Sequence, residues 1–109
     1  MSKSDLQWEF VQCQAIFIQY ALMRGYKLTE ERGSVSEAAN AADGGHPNSC
    51  HLHKLAKDYN LFVTDDYITG DHPAWQDLGT FWQSLHPKAR WGGDWGDFNH
   101  ISFEWNGIK

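Results

Sequence analysis

Apolar residues recur at three- and four-residue spacing near the start of the chain: Leu6, Phe10, Cys13, Phe17 and Ala21, with Val11, Ile18 and Leu22 alongside. That spacing predicts one apolar helix face. Ser4 and Gln7 match a capping box at its start, and Gly25 supplies a C-terminal stop. The period then changes. Tyr26-Lys27-Leu28-Thr29 alternates and predicts a short strand. Ser34 with Glu37 forms a second capping box, opening a short helix over SVSEAANAA, and DGGHPNS (43–49) has loop composition. Alternation returns from Leu55 to Val63. Ala56, Asp58, Asn60 and Phe62 share one face of that strand, and Leu55, Lys57, Tyr59, Leu61 and Val63 the other. Asp65-Asp66 turns the chain into a strand around Tyr67-Ile68. His72-Pro73 then opens a second amphipathic helix, carrying Trp75, Leu78, Trp82 and Leu85 and ending near His86-Pro87. WGGDWGD is turn-like, and Ile101 to Trp105 alternates weakly as a final strand. These elements predict a single α+β domain over residues 1–109, its helices packed on a small, mostly antiparallel sheet.

Composition agrees with a packed domain. Apolar residues make up 41% of the 109 residues, enough for a core and against disorder. Aromatics make up 15%, with six tryptophans, so some fill the core and others are available to line a groove. The net charge is −5, and no basic stripe is present, which argues against nucleic acid as a partner. The N-terminus lacks the apolar centre of a signal peptide. AIFIQYALM is far too short to span a membrane, so synthesis in the cytoplasm without membrane insertion is expected. Two cysteines are too few for a disulfide framework. Cys13 falls on the apolar helix face. Cys50 adjoins His51, which makes it a minor candidate for a metal ligand.

The chemistry concentrates in SCHLHKLAKDYNLF (49–62) and WGGDWGDFNH (91–100). A catalytic zinc site takes three protein ligands and keeps one position open. His51 and Asp58 lie seven residues apart across a loop-to-strand transition, a spacing that lets both face one point. His100 becomes a third ligand if the last strand lies beside Leu55–Val63. Asp97, three residues earlier, is a carboxylate placed to act as general base. Spacing alone leaves the bland reading open, since an Asp-x-x-His pair also caps turns. His53 reads as a strand-edge or surface histidine. His46, His72 and His86 adjoin prolines in loops and read as exposed. Trp75 and Trp82 read as core. Trp91 and Trp95 either wall a cleft or pack under the glycine turn.

The combined pattern, Ser49-x-His51-x6-Asp58 followed by Asp97-x-x-His100, resembles the zinc D-alanyl-D-alanine carboxypeptidase and L-alanyl-D-glutamate endopeptidase family, which includes small bacteriophage endolysins. SCHLHKLAKDYNLF resembles the family's Ser-x-His-x-x-x-x-Ala-x-Asp motif, with Ala56 in place. LGTFWQSLHPKARWGGDWGDFNHISFEW resembles the phage branch's helix, Trp-Gly-Gly turn and final strand. GYKLTEERGSVSEA resembles an earlier strand and arginine-bearing loop. The likeness spans roughly residues 5 to 105.

The resemblance implies that His51, Asp58 and His100 bind Zn2+, that Asp97 is the catalytic base, and that Ser49 shapes the substrate site. It also implies that Arg32 polarises the scissile carbonyl and stabilises its oxyanion. Three departures stand out: Lys54 replaces a frequent glycine, Lys57 replaces an apolar residue beside Asp58, and the loop around Arg32 is short. The implied activity is hydrolysis of the peptidoglycan stem peptide by a zinc metallopeptidase of the endolysin type. Such an enzyme is made in the host cytoplasm, acts at the cell wall, and depends on a holin or a virion for access. The alternative is a non-catalytic wall- or protein-binding module with a structural zinc.

Overall fold

A computed structural model describes residues 2–31 and 50–109. The first helix, α1, spans Lys3–Met23. Its cap lies two residues earlier than the sequence suggests. Ser2, not Ser4, accepts from the Asp5 backbone N–H, and Asp5 accepts from the Ser2 N–H, closing a capping box. Leu6, Phe10, Cys13, Phe17 and Ala21 are buried as expected. Val11, Ile18 and Leu22 are not part of that face: with Trp8 they form a second stripe exposed to solvent. The two stripes sit on different sides of a helix that only one layer covers. Arg24 closes α1, and Gly25 follows at φ +78, the left-handed geometry of a glycine stop.

Among the described residues, five short strands make one antiparallel sheet: β1 (Lys27–Glu30), β2 (Ala56–Val63), β3 (Asp66–Ile68), β4 (Ala89–Trp91) and β5 (His100–Phe103). The order is β1-β2-β5-β4, with β3 also paired to β2. β5 therefore lies beside β2, the arrangement a three-ligand site requires. Thr64 and Asp65, both at positive φ, make the tight turn between β2 and β3, one residue before the predicted turn. β5 ends at Phe103 rather than Trp105, and all four of its residues are buried, which is why its alternation is faint in the sequence.

The second helix, α2, spans Pro73–Ser84 and is capped by His72, whose Nδ1 accepts from the Ala74 N–H at 3.0 Å. His72 is thus a capping residue and not a bystander. Trp75, Leu78 and Trp82 face inward. Trp82 sits at the centre of the core, with Phe10, Phe17 and Phe103 at ring-centroid distances of 5.5, 5.6 and 5.6 Å. Its indole N–H donates to the carbonyls of Arg90 and Ser102, joining α2 to β4 and β5. Aromatic pairs of this kind contribute about 0.5–1.5 kcal/mol each beyond their area. His86 is also not the exposed loop histidine its proline neighbour suggests: it stacks on Phe103 at 4.3 Å and meets Glu9 at 2.9 Å.

The small, mostly antiparallel α+β domain expected from the sequence is the fold observed. The short helix over SVSEAANAA, the loop 43–49, Arg32, His46 and Ser49 lie outside the described residues. No helix among those described is long and apolar enough to cross a membrane.

Candidate metal centre

Three elements bring the proposed ligands together. A 3-10 turn over Cys50–His53 carries His51. The turn is anchored by Cys50, which is fully buried and whose thiol donates to the carbonyls of Phe103 and Ile108 at 3.4 and 3.2 Å. Burial pushes that thiol up to about 11, so Cys50 is a structural anchor and not the ligand its place beside His51 allowed. Lys54 ends the turn at φ +59, in the left-handed region. Glycine is relaxed there, which gives a physical reason for glycine at this position in the resembled family. Lys54→Gly is expected to raise stability by about 0.5–1 kcal/mol, read as an increased denaturation midpoint without a change in slope.

β2 supplies Asp58 and β5 supplies His100, and the antiparallel register sets these two residues directly opposite each other. Side chains of such a pair lie on one face of the sheet. His100 Nδ1 stands 3.3 Å from Asp58 Oδ1, and His51 Nε2 stands 3.3 Å from Asp58 Oδ2. One donor atom from each of the three residues lies within 4.8 Å of the others. Zinc bonds of about 2.0–2.2 Å at tetrahedral angles put ligand atoms about 3.3–3.6 Å apart, so contacts of this length, made to the two oxygens of Asp58, are compatible with a shared ion. His100 is buried, and His51 and Asp58 are partly buried. The donor set of two imidazoles and one carboxylate suits a divalent transition ion. Burial raises the Asp58 carboxyl, but the hydrogen bonds with His100 and His51 outweigh it and hold the group down at about 2.

Asp97 lies beside this cluster, on the turn before β5. Its Oδ2 stands 3.9 Å from His100 Nδ1, and its side chain is half exposed at 53%. Burial of the carboxyl raises it above the ordinary aspartate range; His100 and His51 oppose that rise and Asp58 reinforces it. Asp58 and Asp97, both at the same centre, are thus pushed in opposite directions.

The glycine turn holds this geometry by close approach. A Cβ on Gly92 would lie 2.1 Å from the Asp97 carbonyl oxygen and 2.8 Å from the His100 Cβ. The Gly92 carbonyl in turn accepts from the Asp97 N–H at 2.8 Å. Gly92→Ala is expected to displace Asp97 and His100 together and to cost about 1–3 kcal/mol. A weakened affinity for a divalent metal ion alongside the lowered midpoint would confirm it; an unchanged affinity would contradict it. Gly79 and Gly93 flank the Trp91 ring, where a Cβ would come within 2.1 and 2.2 Å of it. The two tryptophans therefore divide the roles that the sequence left open. Trp91 packs under the turn, its indole donating to the Phe98 carbonyl at 2.8 Å. Trp95 is 45% exposed and stands edge-on to His100 at 5.7 Å, as a wall of the site.

Other expected features fall elsewhere. His53 belongs to the 3-10 turn and is partly buried, with the Lys3 ammonium 2.6 Å from its Nδ1. Lys57 pairs with Glu30 at 3.2 Å, as its place on the strand face away from Asp58 suggests. Asn99 was not singled out in the sequence. It donates to Glu31 at 2.9 Å and tethers the end of β1 to the turn carrying Asp97. Only the strand order makes that contact visible. No protein-family model matches the chain, and no match was found among curated proteins.

Proposed function

We propose that the protein is a zinc-dependent peptidase that hydrolyses the stem peptide of bacterial peptidoglycan, of the endolysin type. The observation that carries this reading is the convergence of His51, Asp58 and His100 on one point, with the raised carboxyl of Asp97 beside it and open to solvent. His51, Asp58 and His100 would hold a zinc ion, which would supply Lewis acidity toward a carbonyl oxygen. Asp97 takes the proton from the attacking water and passes it to the leaving amine, a role suited to a carboxyl whose affinity for protons is raised. Arg32, outside the described residues, is assigned to the developing oxyanion on the strength of the family resemblance alone, and Ser49 to the substrate site on the same basis.

Mass spectrometry of muropeptides after incubation with the zinc-loaded protein tests the reading. New amino termini within the stem peptide are expected. Stoichiometric zinc with wall fragments bound but intact would replace the peptidase with a binding module built on the same metal.

A further inference from the structure

β3 and β5 both lie on the same side of β2, end to end. β5 pairs with Ala56, Lys57 and Asp58, whereas β3 pairs with Leu61, Phe62 and Val63. Tyr59 and Asn60 face the gap, where the Tyr59 N–H donates to the Asn99 carbonyl at 3.1 Å. The gap is a slot of about 280 Å³, lined by buried Trp75 and by Tyr67, Thr69, Asp97 and Phe98. That size is just below the usual range for small-molecule pockets and fits a single ring or residue.

The slot has a definite polarity. Asn60 accepts from the Tyr67 hydroxyl at 3.3 Å, which leaves its amide N–H groups to donate. Asn99 donates to Glu31, which leaves its carbonyl oxygen to accept. One donor and one acceptor on aromatic walls match an amide-bearing ring. Among the described residues, no Lys or Arg lines the slot, and Asp97 is the one ionisable carboxyl there. A carboxylate of the substrate therefore finds no counter-charge among those residues.

We propose that this slot binds the N-acetylated sugar to which the stem peptide is attached; the inference rests on the peptidase reading and deepens it. Along the stem, glutamate and the C-terminal alanine bring carboxylates, whereas the acetamido sugar is neutral. Asn60 lies two residues beyond Asp58 on β2, about 7 Å away. One extended residue with the short acid bridge to the sugar ring covers about the same distance, at 3.3–3.6 Å per residue. A sugar in the slot thus sets the bond after the first alanine at the metal centre and disfavours the terminal pair of alanines.

The probe is N-acetylmuramoyl-L-alanine, titrated into nitrogen-15-labelled, zinc-loaded protein. The side-chain amide signals of Asn60 and Asn99 are expected to shift in a saturable way, and L-alanine amide should leave them still. Asn60→Ala, or Tyr67→Ala at a 57% exposed position, is expected to weaken binding about tenfold, the loss of one good hydrogen bond or stacking wall. Absence of slot shifts, or full-strength binding in both variants, would overturn the proposal. Cleavage is read separately, by comparing a sugar-bearing muropeptide with the same stem peptide lacking the sugar. A kcat/KM at least about tenfold higher for the sugar-bearing substrate supports the slot. Slot binding with neither substrate cut leaves the sugar site standing and removes the peptidase. Equal cutting of both without slot shifts does the reverse.

Discussion

Replacing Asp58 with alanine is expected to weaken zinc binding by more than about a hundredfold, because loss of even an outer partner of a ligand costs 10–100-fold. Asp58 is the common member of both close contacts in the cluster, so its loss leaves two imidazoles with no shared anion. The same experiment has a stability readout. Zinc held by the folded state alone at a hundred times its Kd adds about 2.7 kcal/mol. In a domain of this size that corresponds to roughly 10 °C in Tm, lost on adding chelator. An Asp58→Ala protein that keeps stoichiometric zinc, or a wild-type Tm indifferent to chelation, would remove the metal centre. The pH dependence has a definite sign. Imidazoles must shed their protons to bind a cation, so the chelator-sensitive part of Tm should be full near pH 7 and fade below about pH 6. Asp58 does not set that limit. In the metal-free protein its depressed carboxyl contributes stability above the unfolded value of 3.8, lost only as pH falls toward about 2. A chelator effect undiminished at pH 4 would contradict imidazole ligation.

Asp97→Asn is expected to lower kcat by about 10²–10⁴, the usual contribution of a positioned general base, while zinc content and Tm stay near wild type. Asparagine keeps the shape of the side chain and leaves untouched the backbone contacts of Asp97 with Gly92 and His100. Steady-state hydrolysis of purified wall, run beside metal analysis of the same preparation, separates this variant from the ligand variant. Asp97→Asn retains zinc and loses turnover, whereas Asp58→Ala loses both. Wild-type turnover in Asp97→Asn would shift the proton transfer to another group and end the assigned mechanism.

Residue chemistry is legible in the sequence where tertiary position is not. Imidazoles and carboxylates among apolar residues are conspicuous in the sequence, so His51, Asp58, Asp97 and His100 could be singled out as residue types suited to metal chemistry. The capping of α1 was misplaced by two residues because Ser2 and Ser4 are both good caps, and the neighbouring acid at Asp5 decides between them. The packing of His86 is not legible in the sequence because its partners, Glu9 and Phe103, are distant along the chain.

What the chain determines by itself is local: helix periods around Phe10 and Trp82, alternation through β2, and the glycines that permit a tight turn before His100. Each follows from backbone sterics and apolar spacing within a few residues. What only the tertiary structure decides is adjacency. That β5 lies beside β2 with His100 opposite Asp58, and that β3 stops short enough to leave a slot at Asn60, depends on which strand edges pair. Strand pairing is set by the packing of the whole core, a contact between segments some forty residues apart, and no short stretch of sequence contains it.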